Sequence, residues 1–461
     1  MRTKKLVCLI LALVMTIGVA ALISVSGAVE QHEHLASSYV EPEADFEEIL
    51  FVDDLLACPE FQAEFNAHAL EVLGEDFINN QMTAMAAADL IRESFPVSRA
   101  GEIMYPESFG GIYVDEDGHL VMLVVGESTG AEDMLALGRT ANVAVRFVEY
   151  SHTELLDVHQ AIFNFLLENW QDEECPVVAN ICSAGVNTTQ NLVSVYLRDA
   201  GIENVQLFES AVVSHSAIVF IEVLAYDPNL CYEPISAYVF EQDYIQPLNH
   251  ITVRPGNAVL RSPNARQSMG FRATMARTGE MGFVTTMHGN LSLPTPVPHL
   301  RIGDNFYFGQ ITGSRRIGPV REVSAATDSA FVAVMPPNSI VNTNVADTSF
   351  NVASGIMRNP AEGQTVTRFS QGGTGSPVTS SGRIDYLHHI FNGSVGPVPT
   401  ILAWYLSASG DSGGIILCTA TRAPAGIHIG RTAARTSPTS DTISAFSHIV
   451  QIMDALRVTP S

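Results

Sequence analysis

The chain has 461 residues, 46% of them hydrophobic and 16% charged. That is too long for one ordinary domain and too apolar for a disordered polymer, which leaves a globular protein of two to three domains. The net charge of −25 is unevenly divided: from Ile251 onward there are 16 Arg, no Lys and 10 acidic residues (+6), so the first 250 residues carry the other 8 basic and 39 acidic groups (−31).

Such asymmetry reads either as an acidic segment made to meet a basic one or as acidity that keeps the N-terminal half soluble. The arginines of the basic half are scattered without aromatic interleaving, which argues against nucleic-acid binding.

The chain opens with Arg2, Lys4 and Lys5, then an apolar run of about 20 residues, then Ser26, Gly27 and Ala28. This is the layout of a secretory signal peptide, residues 1–28, cleaved after Ala28. The run is also long enough to span a bilayer, so an uncleaved membrane anchor is the alternative.

Residues 29–46 are polar and acidic and read as disordered. Helical spacing follows over Phe46–Leu73 and Thr83–Glu93. Gly111–Val125 reads as two strands around an Asp117-Gly118 turn. VAVRFVEY is a further strand. A helix starts at Ser151, with Glu154 in the capping-box position. NLVSVYL and AIVFIEVLAY are strands, so residues 29–250 form an α+β region.

After about Asp243 the texture changes. Short strands rich in Val, Thr, Phe and Ile alternate with Gly/Pro/Asn turns, the pattern of an all-β sandwich or barrel. The boundary falls near Tyr244–Ile251, and only the tail, Ala445–Leu456, looks helical. No internal repeat is visible. Of six cysteines, Cys8 lies in the leader, Cys58, Cys175, Cys182 and Cys231 in the acidic half, and Cys418 alone in the basic half. Cys175 and Cys182 are able to pair, but the spacing does not require it.

SASGDSGGIIL (Ser407–Leu417) brackets Ser412 with glycines and a carboxylate. A serine hydroxyl becomes a good nucleophile only beside a base, and the base needs an orienting group. Attack on a carbonyl also needs N–H donors for the oxyanion, here those of Gly410 and Ser412. GFVTTMHGN ends a short apolar strand in His288, and TDSAFVAV starts another with Asp328. The order His, Asp, Ser on an all-β background points to nucleophilic catalysis.

Residues 251–452 of the C-terminal half resemble the chymotrypsin-fold serine proteases, and within them the bacterial secreted branch of α-lytic protease and the streptogrisins, which makes 251–461 the expected protease domain. GFVTTMH matches the strand bearing the base, DSAFV that bearing the acid, and GDSGG the nucleophile loop. The resemblance implies two antiparallel Greek-key β-barrels and the catalytic roles of His288, Asp328 and Ser412. It also implies an ion pair between Asp411 and Arg368 of GQTVTRFSQGG. The family's cysteines near these motifs are replaced, at Gly289 and Thr367.

AGIHIGR (Ala425–Arg431) falls where the family has its substrate-lining strand, which makes His428, Ile429 and Gly430 substrate-binding, with Leu406 near the pocket floor. The strand is similar to the GIHWGG of glutamyl endopeptidases, in which a histidine helps receive a carboxylate. This implies a preference for Glu or Asp before the cleaved bond; a small or apolar pocket is the alternative. The acidic half resembles the branch's pro-region, which implies a folding assistant and inhibitor of the protease.

His32/His34 and His388-His389 lack the arrangement of a structural zinc site, and Gly372–Ser376 lacks a phosphate-binding context, so neither metal nor cofactor is expected. The expected partners are peptide substrates and the chain's own pro-region, and the expected location is extracellular. The rival class is a secreted binding protein that keeps the fold without the chemistry.

Overall fold

The computed structural model describes residues 74–99, 103–172, 174–223, 251–262, 265–288, 299–308, 316–336, 338–340, 352, 355–370, 379–393, 395–407, 410–431 and 443–460. All belong to one compact unit, Val52–Ser461. The signal segment, the helix expected at Phe46–Leu73, His32, His34, Cys58, Cys231, Gly289, Gly372–Ser376 and the 244–250 part of the boundary lie outside them.

The N-terminal region is α+β. Helix α1 (Glu75–Glu93) starts earlier than the alanine run suggested. Strands β1 (Phe109–Val114) and β2 (Leu120–Val125) form the expected hairpin, with Gly118 at φ +87° in its turn. Helix α2 (Ala131–Ala141) then crosses to β3 (Ala144–Val148), which runs parallel to β2. Helix α3 (His152–Asn169) begins at a complete capping box: Ser151 Oγ accepts the Glu154 N–H at 3.1 Å, and the Glu154 carboxylate accepts the Ser151 N–H. Its buried stripe, with Leu155, Val158, Ile162 and Leu166, repeats at helical spacing and faces a core with β4 (Ile181–Asn187) and β5 (Leu192–Leu197). Helices α4 (Pro176–Asn180) and α5 (Ile202–Ala211) and strand β6 (Ile218–Glu222) complete the region. Cys175 and Cys182 are not joined in a disulfide.

The C-terminal region is all-β, as its texture predicted. Its first sheet takes β8 (Ala258–Ser262), β9 (Ala265–Ser268), β10 (Arg272–Met275), β11 (Met281–Thr285), β12 (Asn305–Tyr307), β13 (Arg316–Ser324), β14 (Ser329–Ala333) and the terminal β22 (Val458–Pro460). A short parallel pair joins β7 (Thr252–Val253) to β15 (Ser339–Ile340). The second sheet takes β16 (Thr365–Phe369), β17 (Thr379–Gly393), β18 (Gly396–Ala403), β19 (Ile415–Cys418), β20 (Pro424–Arg431) and β21 (Ser444–His448).

The strand order β16-β19-β20-β21-β18-β17 closes on itself through a β16–β17 pairing. The first sheet, with β22 and β9 at its two ends set aside, runs β10-β11-β14-β13-β12-β8, the same permutation of six strands, without that closing pair among the described residues. The repeat invisible in sequence is therefore present in topology. One core joins the two sheets: Phe271, Phe283, Phe306 and Phe331 of the first meet Ile415, Ile427 and Ala445 of the second. Truncating any of these phenylalanines to Ala removes about 3–5 kcal/mol.

The tail corrects the sequence reading. Ser444–His448 is strand β21, and helix α6 spans only Ile449–Leu456. Residues 444–447 are needed between β20 and β18 to complete the ring, so pairing overrides helical spacing there.

β17 has 15 residues, while β16 has five. Its first part pairs with β16; its later part, His388 to Phe391, pairs antiparallel with β4. The ring thus continues into β4-β5-β6, and one nine-stranded sheet spans both regions. Among the described residues no helix is long and apolar enough to cross a membrane.

Candidate active site

His288, Asp328 and Ser412 come together where the two sheets meet. Strand β11 carries its buried Phe283 and Val284 into the core and ends at Thr285, three residues before His288. Asp328 follows a single 3₁₀ turn, Ala325–Thr327, and adopts φ +44°, a left-handed conformation that costs a non-glycine residue about 1–2 kcal/mol. The conformation is held from three sides. Asp328 N–H reaches Ala325 O at 3.2 Å, Asp328 O accepts the Met287 N–H at 3.3 Å, and Ser447 Oγ donates to Thr327 O at 2.7 Å.

The Asp328 carboxylate is nearly sealed, its side chain 4% exposed. Oδ1 accepts the His288 backbone N–H at 2.9 Å, and Oδ2 lies 2.6 Å from His288 Nδ1. On the opposite side of the ring, Nε2 lies 3.1 Å from Ser412 Oγ. Carboxylate, imidazole and hydroxyl are therefore in one hydrogen-bonded line. Such a line can move the hydroxyl proton onto the ring while the carboxylate stabilises the resulting cation.

The loop bearing Ser412 is fixed by glycine geometry. Gly410 and Gly413 have φ +94° and +87°. A Cβ at Gly413 would stand 2.2 Å from Thr285 Oγ1 and 2.3 Å from the Ser268 carbonyl oxygen, so only glycine fits. Backbone bonds tie the loop to β20: Gly413 N–H donates to His428 O and His428 N–H to Gly414 O, both at 2.8 Å.

Arg368 on β16 and Asp411 form an ion pair at 2.9 Å, with side chains 0% and 1% exposed. Arg368 Nε also donates to Leu406 O at 3.0 Å, and its Nη1 donates to Ser370 Oγ. Ser370 Oγ donates in turn to Asp411 Oδ1 at 2.6 Å. A buried pair of this kind is tolerated because its remaining donors and acceptors are satisfied.

His428 is 2% exposed, and its Nδ1 lies 3.0 Å from the hydroxyl of the buried Tyr405. Ile429 is buried at a bulge in the β20–β21 ladder, and Gly430 resumes the pairing. A bulge re-aims the side chains beside it. The side chain of Leu406 is 57% exposed, while its N–H donates to Ser380 Oγ at 2.8 Å.

Several supports escaped sequence reading. Ser268 on β9 donates its N–H to Ser412 O at 2.8 Å and its Oγ to Gly410 O at 3.2 Å. Its neighbour Gln267 donates Nε2 to His288 O at 3.2 Å. β9 thus braces His288 and Ser412 together. Nothing in ARQS signals this. Ser370 was more legible, since it stands two residues after Arg368 and so on the same face of an extended chain.

Residues 69–143 match the family model described as a Pro-like N-terminal domain, and residues 153–223 that described as a Pro-like C-terminal domain. No curated protein matches the chain in sequence. Solved structures similar to it include Thermobifida fusca protease A, 18% identical, covering 45% of this chain and 98% of its own at a TM-score of 0.35. A glutamic-acid-specific serine protease described as using a histidine triad in substrate binding is 21% identical, covering 45% and 100% at 0.36. Cellulomonas bogoriensis chymotrypsin is 20% identical, covering 46% and 99% at 0.35.

Proposed function

We propose that this chain is the precursor of a secreted serine endopeptidase. Residues 1–28 are its signal peptide, 29–250 an acidic pro-region that assists folding and inhibits, and 251–461 the protease domain. The observation that carries this reading is the simultaneous approach of His288 to Asp328 at 2.6 Å and to Ser412 at 3.1 Å.

In the proposed reaction Ser412 Oγ attacks the scissile carbonyl as its proton passes to His288 Nε2. The N–H groups of Gly410 and Ser412 receive the oxyanion; loss of one such donor costs roughly 10²–10³ in rate. The imidazolium, steadied by Asp328, returns the proton to the leaving amine. Water then repeats the sequence on the acyl-enzyme, and Ser412 is regenerated. Asp411 and Arg368 hold the loop. The intact hydrogen-bonded line disfavours the alternative of a protease-like binding protein.

For specificity we favour Glu or Asp before the cleaved bond, received beside His428, Ile429 and Gly430 with Leu406 nearby. Tyr405 supports this by fixing the His428 ring, which can then donate to a carboxylate. A small or apolar preference is the second reading.

Mass spectrometry of the exported product, combined with a peptide-library digest, tests the whole proposal. The expected result is a new N-terminus near 244–251 and hydrolysis after Glu or Asp, both lost in Ser412→Ala. Intact export with no digestion would contradict the protease reading, and faster cleavage after Leu or Ala would contradict the carboxylate preference.

A further inference from the structure

A cavity of about 240 Å³ lies between the two regions. From the N-terminal side it receives His152 and His159, two turns apart on α3, and from the C-terminal side His388 and His389 of β17 with His448 of β21. The His388 ring centroid stands 5.8 Å from that of His152 and 6.4 Å from that of His159. His152, His159 and His389 are 6%, 9% and 1% exposed, yet His152 Nδ1, His159 Nε2 and His389 Nε2 have no hydrogen-bond partner. Buried polar atoms are almost always paired, so three unpaired ring nitrogens on one cavity call for a function.

The surroundings say what the nitrogens await. The charged residues of the lining are Arg92 from α1 and Arg358, with Tyr105 and His448 as further titratable groups; among the described lining residues there is no carboxylate. Among the described residues no group of His, Cys, Asp or Glu is arranged to hold a metal. Two guanidinium groups would also oppose a metal cation. What neutral imidazoles take up without ligand geometry is a proton.

We propose that this cavity is an acid-sensitive seam: neutral histidines let the N-terminal region dock on the C-terminal region, and their protonation at acidic pH drives the two apart. The inference rests on reading the N-terminal region as a pro-segment that must leave. Burial, reinforced by neighbouring histidines and, for His152, by Arg92, lowers His152, His159 and His389 to about 3 and His388 to about 4. Burial also lowers His448, against the opposite pull of its hydrogen bond to Met357 O.

Each docked pKa lies below the ordinary value near 6.5, so each contribution to docking is complete above that pH and lost as pH falls below it. For a histidine at about 3, going from pH 7 to pH 5 weakens docking about 25-fold. Buried carboxyls work against this, among them Asp385 of β17, which burial raises. Glu362, behind Thr188 of the lining, is raised to about 8 by burial. Over the same interval it strengthens docking about 70-fold. Two histidines exposed on separation, about 600-fold together, already outweigh it.

The test uses the full chain carrying Ser412→Ala, which removes self-cleavage. Amide hydrogen exchange across the paired segments 181–187 and 388–391 is followed by mass spectrometry at pH 7 and pH 5, corrected for intrinsic rates. The seam predicts at least about tenfold faster exchange at pH 5, and a smaller acceleration in His152→Gln and His388→Gln. Equal protection at both pH values overturns the proposal.

A second readout needs no cavity variant. NMR titration of the histidine rings should find these four neutral at pH 7 and protonating in step with the loss of protection. Rings that titrate near 6.5 while the amides stay protected also overturn it. Neither readout uses catalysis, so failure here is distinct from failure of the protease reading.

Discussion

The guanidinium of Arg368 lies 2.9 Å from the carboxylate of Asp411, and both side chains are sealed from solvent. Asp411 immediately precedes Ser412, so the pair fixes the backbone beside that serine. Removing one partner of a buried pair costs about 3–5 kcal/mol, because the other charge is left unpaired. Arg368→Met should therefore unfold at clearly lower denaturant than the parent. In the double variant with Asp411→Asn part of the loss should return. Strictly additive losses in denaturant titrations of the four proteins would remove the pair from the account.

Asp328 meets His288 through both oxygens, one on the backbone N–H and one on the ring. Asp328→Asn keeps the shape but favours the wrong tautomer of the imidazole. The expected loss in kcat on a peptide substrate is about 10⁴-fold, with little change in KM. A loss under tenfold would mean that Asp328 does not orient the base.

Gly413→Ala places a methyl group 2.3 Å from a backbone carbonyl oxygen at Ser268, where no rotamer change relieves it. Overpacking of this kind costs about 1–3 kcal/mol, and the left-handed φ adds to it. Thermal unfolding should report the loss, and trimming Thr285 to Ala should not restore it. Full rescue by Thr285→Ala would place the strain on the side chain instead.

Glu362 is buried between the regions, its Oε1 accepting the Thr188 N–H and hydroxyl and its Oε2 the Thr189 N–H. Burial is the largest influence and raises it to about 8; the Thr188 and Thr189 hydrogen bonds pull the other way. A pKa above the ordinary 4.5 means that its contribution is complete below that pH and lost as pH rises through about 8. The melting temperature should fall more steeply between pH 7 and pH 9 in the parent than in Glu362→Gln. Parallel pH profiles would show that the carboxyl does not ionise in this range.

What could be read from sequence was local. Ser151 and Glu154 announced a helix start, Asp117-Gly118 a hairpin, GFVTTMH and DSAFV each a strand with a polar residue beside it, and GDSGG a glycine-rich turn. These signals depend on neighbours within a few positions. The brace of Ser268 on Ser412 and Gly410 was illegible, because one bond is a backbone N–H with no side-chain signature and the other joins a serine hydroxyl to a carbonyl 142 positions away. The run from Ala445 misled for the opposite reason: its spacing is helical, but pairing with both β20 and β18 made its first turn a strand. The histidine cavity needs α3 and β17 side by side, and only the β4–β17 pairing supplies that.

The most direct measurement is covalent labelling of the folded chain, freed of residues 29–250, with a fluorophosphonate probe, with the adduct located by peptide mass spectrometry. The account predicts a single stoichiometric adduct on Ser412 that disappears in Ser412→Ala and falls sharply in His288→Ala. An unlabelled Ser412 in folded chain freed of residues 29–250, or equal labelling without His288, would contradict it.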